Sequence, residues 1–236
     1  MTEPTQPHNR RPLVLINFKA AREGSGSNAV RLAKQLELAG STISGYEIIL
    51  AVQALDIYRV AQATRLKVFA QHVDPRQYGP YTGSICPFAV REAGACGTLI
   101  NHTERRLSHA VLEQTVDLAK AAGLQTIVCA ASPAEGQAML ALAPDYIGIE
   151  PEVAPSAKSS ILESAADVVD QAVAAISGKA LFGGGISTNQ EVQQLIVKGA
   201  SGIMVSSKVV KSSDPRYALE SLLCEEKVFP PEKHGS

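Results

Sequence analysis

A glutamate closes a short apolar run, Asp145-Tyr146-Ile147-Gly148-Ile149-Glu150-Pro151, and it is the first residue in this chain placed to do chemistry. The proline after it biases Glu150 toward extended backbone, fixes its own φ and offers no N–H. A carboxylate at a stiff strand end can be aimed, and an aimed carboxylate is a candidate general base. The small and polar residues that follow, 152–160, read as a mobile loop able to cover it. Taken alone, a strand-end glutamate is more often an ordinary solvated side chain. Its weight depends on what the rest of the chain places beside it.

The elements that would position Glu150 recur regularly. Apolar runs at 13–18, 46–52, 67–70, 97–100, 125–130, 145–149, 179–182 and 202–205 read as strands. Amphipathic stretches at 28–39, 54–63, 87–93, 108–122, 133–142, 161–176, 189–198 and 214–223 read as helices. Pro87, Pro133 and Pro215 fall near helix starts, where a missing N–H costs little. Near-continuous apolar strands alternating with helices imply a parallel sheet covered by helices. Eight such units predict an α/β chain folded as a single-domain (β/α)8 barrel, a TIM barrel, which typically takes about 250 residues. A doubly wound open sheet is the alternative, but no Gly-x-Gly-x-x-Gly turn follows the first strand.

Composition narrows the function classes. The 236 residues are 45% hydrophobic and 19% charged, with a net charge of −1. This is ordinary globular composition, without the basic excess of a nucleic-acid binder or an apolar run of membrane-spanning length. Residues 1–11 and 225–236 are polar and proline-containing and read as flexible tails flanking a barrel at 12–224. Cys86, Cys96, Cys129 and Cys224 show no paired metal-ligand spacing. Cys96 and Cys129 lie next to or within apolar runs and read as buried thiols, which predicts a reducing, cytoplasmic location.

In such a barrel the chemistry gathers at the C-terminal ends of the strands. There the sequence puts Asn17 and Lys19 after the first strand and His102, Thr103 and Glu104 after the fourth. Glu150 follows the sixth, Gly183 to Gly185 and Ser187 the seventh, and Ser206 and Ser207 the eighth. Each has an ordinary reading: a solvated lysine, a structural histidine, a tight turn, a helix cap, loop serines. Together at one end of consecutive units they describe a site for a phosphorylated substrate, since glycine-rich backbone approaches anions closely.

The ordered set of motifs carries a resemblance. Ile16-Asn17-Phe18-Lys19, Ala70-Gln71-His72-Val73-Asp74-Pro75, Thr98 to Arg105, Ile149-Glu150-Pro151, Gly184-Gly185-Ile186-Ser187 and Gly202 to Ser207 span nearly the whole chain. The chain resembles the triosephosphate isomerase family in its short archaeal-type form. The resemblance implies interconversion of dihydroxyacetone phosphate and glyceraldehyde 3-phosphate by enediolate proton transfer. It implies Glu150 as base, His102 as a neutral electrophile and Lys19 as the stabilising cation. Triosephosphate isomerases are themselves the standard instance of a histidine kept neutral beside a helix N-terminus, and Thr103 and Glu104 look like the start of such a turn. Asn17 would orient the substrate, and Glu104 would pair with Lys19. Gly184, Gly185, Ser187, Ser206 and Ser207 would hold the phosphate. No metal or organic cofactor is implied. The loop at 75–84, with Tyr78, Tyr81 and Thr82, resembles the family's interdigitating loop and implies a homodimer or homotetramer.

The sequence departs from the family in three places. Residues 152–160 stand where the family has a longer lid containing Ile-Gly-Thr-Gly, Lys208 follows Ser207 where glycine is usual, and Thr103 replaces the commoner serine. These departures keep two alternatives open. One is a paralogous isomerase of another small sugar phosphate, such as a four-carbon ketose phosphate. The other is a barrel that binds phosphorylated metabolites or a partner protein without turnover. The intact Lys19, His102 and Glu150 weigh against the second.

Overall fold

Alternate residues of a strand face opposite ways, and this chain uses that period to build two cores at once. The computed structural model describes residues 11–151, 162 and 165–224. The expected tails, apart from Arg11, and the expected lid at 152–160 lie outside the described residues. Eight parallel strands close into a barrel: β1 (Leu13–Asn17), β2 (Glu47–Val52), β3 (Lys67–Ala70), β4 (Gly97–Ile100), β5 (Gln125–Ala130), β6 (Tyr146–Ile149), β7 (Ala180–Gly183) and β8 (Gly202–Val205). Closure is made by β1 on β8, with Leu13 opposite Gly202. Leu13, Leu15, Ile49, Phe69, Leu99 and Met204 belong to one buried cluster, inside the barrel. Val14, Ile16, Leu50, Val68 and Ile203 belong to the other, between barrel and helices.

The helices are α1 (Ser27–Thr42), α2 (Ile57–Ala61), α3 (Pro87–Glu92), α4 (His109–Ala121), α5 (Pro133–Met139), α6 (Ala166–Ala175), α7 (Asn189–Val197), α8 (Ser207–Val210) and α9 (Pro215–Leu223). Pro87, Pro133 and Pro215 each sit in a helix's first turn. The barrel interior is filled by pairing large residues with small ones. A Cβ at Gly97 would fall 2.3 Å from Cζ of the Phe69 ring, so the floor under the strand ends depends on that glycine.

Several boundaries differ from the sequence reading. The helix expected at 54–63 is a 3-10 turn, Ala54–Asp56, leading into α2. That expected at 133–142 ends α-helically at Met139 and tightens to a 3-10 turn at Leu140–Leu142 before Ala143, which takes a left-handed φ of 49°. The helix expected from 161 is described from Ala166. Gly183 ends β7 rather than starting a loop. The four-residue α8 had no expected counterpart, because one turn carries no amphipathic period.

The long loop after β3 is tied at its base. The Asp74 N–H donates to the Ile85 carbonyl at 2.9 Å, and the Ile85 N–H returns a bond to Asp74 Oδ2 at 2.7 Å. His72, buried beneath this tie, meets Asp74 Oδ1 through Nε2 at 3.0 Å. Burial lowers the His72 pKa, and the bond to Asp74 only partly opposes it. Below about pH 6.5 the unfolded chain therefore takes up a proton that the folded chain resists, and stability falls as pH drops toward the folded-state pKa. Urea unfolding at about pH 7.5 and about pH 5.5 checks this. The wild type is expected to lose more stability between the two than His72→Gln. Equal losses would show that His72 is not the group responsible.

Candidate active site

The inward-facing period carries past the apolar layer and delivers polar residues at the top of the barrel. Leu13 and Leu15 are followed in phase by Asn17, Tyr146 and Gly148 by Glu150, Leu181 by Gly183, and Met204 by Ser206. The cavity there, about 330 Å³, is floored by Leu15, Leu99 and Met204. Its polar lining includes Asn17, Lys19, His102, Glu150, Gly184, Gly185, Ser187, Ser206 and Ser207. All the expected catalytic and substrate-binding residues thus share one cavity, and Thr103 and Glu104 lie on the chain directly after His102. Lys208 lines it too, beside the serines.

Glu150 leaves β6 with its N–H bonded to the Ala130 carbonyl at 3.0 Å, which fixes the strand end before Pro151. Its side chain lies against Gly183, where a Cβ would fall 2.6 Å from Oε1 and 2.7 Å from Cγ. The glycine at the end of β7 is therefore the space that Glu150 occupies. Opposite stands His102, with Nε2 3.1 Å from Glu150 Oε2. The Glu104 N–H donates to His102 Nδ1 at 3.2 Å, so Nδ1 carries a lone pair and the ring's proton sits on Nε2. The two atoms are within contact distance, yet neither His102 Nε2 nor Glu150 Oε2 has a hydrogen-bond partner of acceptable geometry among the described residues. Both residues line the cavity, so these two atoms are placed to meet a ligand oxygen and a carbon-bound proton. The Thr103–Glu104 segment is a single turn closed by the Arg105 N–H on the His102 carbonyl at 2.7 Å, and no helix continues from it.

Lys19 follows β1 with a left-handed φ of 50°, uncommon for a residue with a side chain. Three bonds hold it there. Its N–H donates to Asn17 Oδ1 at 3.0 Å, its carbonyl accepts from Gln71 Nε2 at 3.0 Å, and its ammonium meets Glu104 Oε1 at 2.8 Å. The ammonium holds the Glu104 carboxyl below its usual range.

At the other end of the cavity, Gly184 and Gly185 take φ values of 105° and 67°, positions that suit glycine. Ser187 departs from its expected part. Its N–H and hydroxyl are both engaged by Glu191 Oε2, at 2.8 and 3.3 Å. The helix cap itself is Thr188, which forms a capping box with Glu191. Ser206 precedes α8, its carbonyl accepting from Val209 and Val210 at 3.0 and 2.8 Å. Reasoning from sequence gave no role to Gln71 or Asn101 and placed Gly183 in the loop. Gln71 and Asn101 stood inside quoted motifs, but nothing in their spacing announced the contacts they make.

Comparison with known proteins agrees with this geometry. A family model described as triosephosphate isomerase matches residues 12–223. Triosephosphate isomerase of Methanosarcina mazei is 40% identical over 217 residues, covering 90% of this chain and 97% of that protein. Those of Methanobacterium bryantii and Methanothermus fervidus are 36% and 33% identical, covering 90% and 91% of this chain and 96% and 99% of theirs. Among solved structures, triosephosphate isomerase from Bartonella henselae superposes with a TM-score of 0.67 at 21% identity, covering 90% of this chain and 99% of that one, a likeness of fold.

Because Gly183 makes room for Glu150 without itself needing a positive φ, its replacement is a clean steric test. Gly183→Ala is expected to slow any step in which Glu150 moves a proton by about ten- to a hundredfold, through displacement of the carboxylate. Chemical denaturation is expected to move by less than about 2 kcal/mol, since the clash falls on one side chain that borders a cavity and not on backbone. Unchanged turnover would mean that Glu150 tolerates the methyl and is not held by this contact.

Proposed function

The chain belongs to the triosephosphate isomerase family, and we propose that it interconverts dihydroxyacetone phosphate and glyceraldehyde 3-phosphate with Glu150 as base and His102 as electrophile. It is an intramolecular aldose–ketose isomerase. Glu150 takes a proton from the carbon beside the carbonyl. The C–H electron pair forms the enediolate double bond, and the carbonyl oxygen gains negative charge. The His102 Nε2–H protonates that oxygen and the ring regains a proton from the neighbouring hydroxyl, whose oxygen becomes the new carbonyl as Glu150 returns the carbon-bound proton to the former carbonyl carbon. Lys19 stabilises the developing charge. Asn17 orients the substrate and, with Gln71, the lysine. Glu104 holds both the His102 ring and the Lys19 ammonium, and Thr103 completes the turn between them. Gly184, Gly185, Ser206 and Ser207 receive the phosphate, Ser187 closes the end of that loop, and Lys208 adds positive charge beside it.

One observation carries this reading: His102 Nε2 and Glu150 Oε2 face each other at 3.1 Å, with no hydrogen-bond partner among the described residues, at the edge of the cavity. A barrel that only bound phosphorylated metabolites would have no use for such a pair. The cavity of about 330 Å³ suits a triose phosphate, and the family match favours that substrate over a larger sugar phosphate.

The coupled assay with glyceraldehyde 3-phosphate, run beside Glu150→Asp and with methylglyoxal followed, tests the assignment. Turnover is expected in the wild type and a loss of about 10²- to 10⁴-fold in the variant, the usual worth of a positioned acid–base group. A wild-type enzyme without turnover, or a variant that keeps it, would sink the assignment of Glu150.

For assembly, the loop at 75–84 is the proposed contact of a homodimer or homotetramer. Tyr78 and Tyr81 on it are exposed, as are Leu55 and Tyr58 nearby in sequence to β2. An adjoining cavity of about 350 Å³, lined by Lys19, Gln71, His72 and Glu104, offers a receiving surface. No described helix is long and apolar enough to cross a membrane. The four cysteines are free thiols, and the proposed location is the cytoplasm. Light scattering is expected to give an oligomer that Tyr81→Glu weakens. A fully active monomer at assay dilution would rule the interface out.

A further inference from the structure

We infer that Asn101, the residue before His102, is a positioning residue that sets the separation between electrophile and base; the inference rests on the roles given to His102 and Glu150 above. Backbone pairing between β4 and β5 ends with Ile100 opposite Val128. One step later Asn101 turns to a φ of 62°, so the chain leaves the ladder. The Asn101 side chain, 2% exposed, takes over: Nδ2 donates to the Cys129 carbonyl at 2.9 Å. Its Oδ1 accepts the Leu107 N–H at 2.8 Å and closes the loop that carries His102, Thr103 and Glu104.

The tie matters because of what β5 holds on its other side. Cys129 and Ala130 pair with Gly148 and Ile149, and the Ala130 carbonyl accepts the Glu150 N–H at 3.0 Å. His102 and Glu150 are therefore linked through a single strand, and among the described residues Asn101 makes the shortest side-chain hydrogen bond from the His102 loop to that strand. Arg106 adds longer contacts of 3.5 and 3.4 Å to the Asn101 and Cys129 carbonyls while pairing with Glu135. The residue type fits the task. Asn adopts left-handed backbone more readily than most residues, and its amide offers the donor and the acceptor that the two bonds need.

The test uses full-length protein, wild type beside Asn101→Gly and Asn101→Asp. The readouts are kcat and KM, urea unfolding, and the ¹⁵N–¹H signal of the His102 Nε2–H. Glycine keeps the φ and loses both bonds; aspartate keeps the acceptor for Leu107 and loses the donor to Cys129. Because a displacement of about 1 Å at a reacting pair costs on the order of a hundredfold, kcat is expected to fall ten- to a hundredfold in both variants. KM is expected to stay within about threefold, and the His102 signal to shift or broaden. A wild-type kcat and an unshifted signal in Asn101→Asp would overturn the inference, even if Asn101→Gly proved too unstable to assay. So would a fall in kcat that only tracks the loss of folded protein. If the wild type itself shows no isomerase turnover, the functional reading fails, and the His102 signal still decides whether Asn101 holds the ring.

Discussion

A buried hydrogen-bond donor faces a buried acceptor at 3.1 Å without the angle to bond it, and the top of this barrel is arranged around keeping them so. His102 and Glu150 are each held by their neighbours. The Glu104 N–H occupies Nδ1 of the ring and fixes which nitrogen carries the proton. Glu150 is bounded by Pro151, by its backbone bond to Ala130 and by the space over Gly183. A substrate oxygen placed between the two groups would satisfy the donor, and a carbon-bound proton would meet the acceptor. Donor and acceptor are thus set in place before the substrate arrives, so little reorganisation is needed when charge develops.

The fold was legible because the barrel's physics is periodic. Strands buried on both faces read as unbroken apolar runs, and those at Lys67–Ala70, Gly97–Ile100, Gln125–Ala130 and Gly202–Val205 begin and end where the pattern does. The site was legible for a related reason. Once eight units are recognised, the residue after each run must stand at the C-terminal mouth, so Asn17, His102, Glu150 and Ser206 are brought together by topology alone.

What the sequence did not reveal has no period. Gln71 holds Lys19 across 52 residues, and Asn101 holds the Cys129 carbonyl across 28. Bonds between a side chain and a neighbouring strand's carbonyl depend on register and twist, and each looks in sequence like an ordinary polar residue at a strand end. Gly183 was misplaced into the loop for a similar reason. A glycine run suggests backbone freedom, whereas this one ends a strand and is needed for the atoms it leaves out. Ser187 was given a ligand's part although Glu191, four residues on, claims both its N–H and its hydroxyl.

Lys19 shows how stability and function are divided between the two ends of the strands. Its ion pair with Glu104 is exposed, with the side chains 37% and 61% accessible, and pairs of that kind contribute about 0–1 kcal/mol at best. Its left-handed backbone costs on the order of 1–3 kcal/mol. Judged by stability alone, the lysine's setting is unfavourable. What holds it is supplied from outside the residue: Asn17 on its N–H, Gln71 on its carbonyl, and a following loop whose Gly26 N–H is gripped by both oxygens of the buried Asp56 carboxylate at 3.1 and 3.0 Å. The apolar layers below can bear such a rim because the interior cluster and the helix-facing cluster are complete without it. A cation held in one orientation before substrate arrives needs no reorganisation when charge develops. That gain in rate, rather than any gain in folding, is the physical reason for a strained lysine at this position.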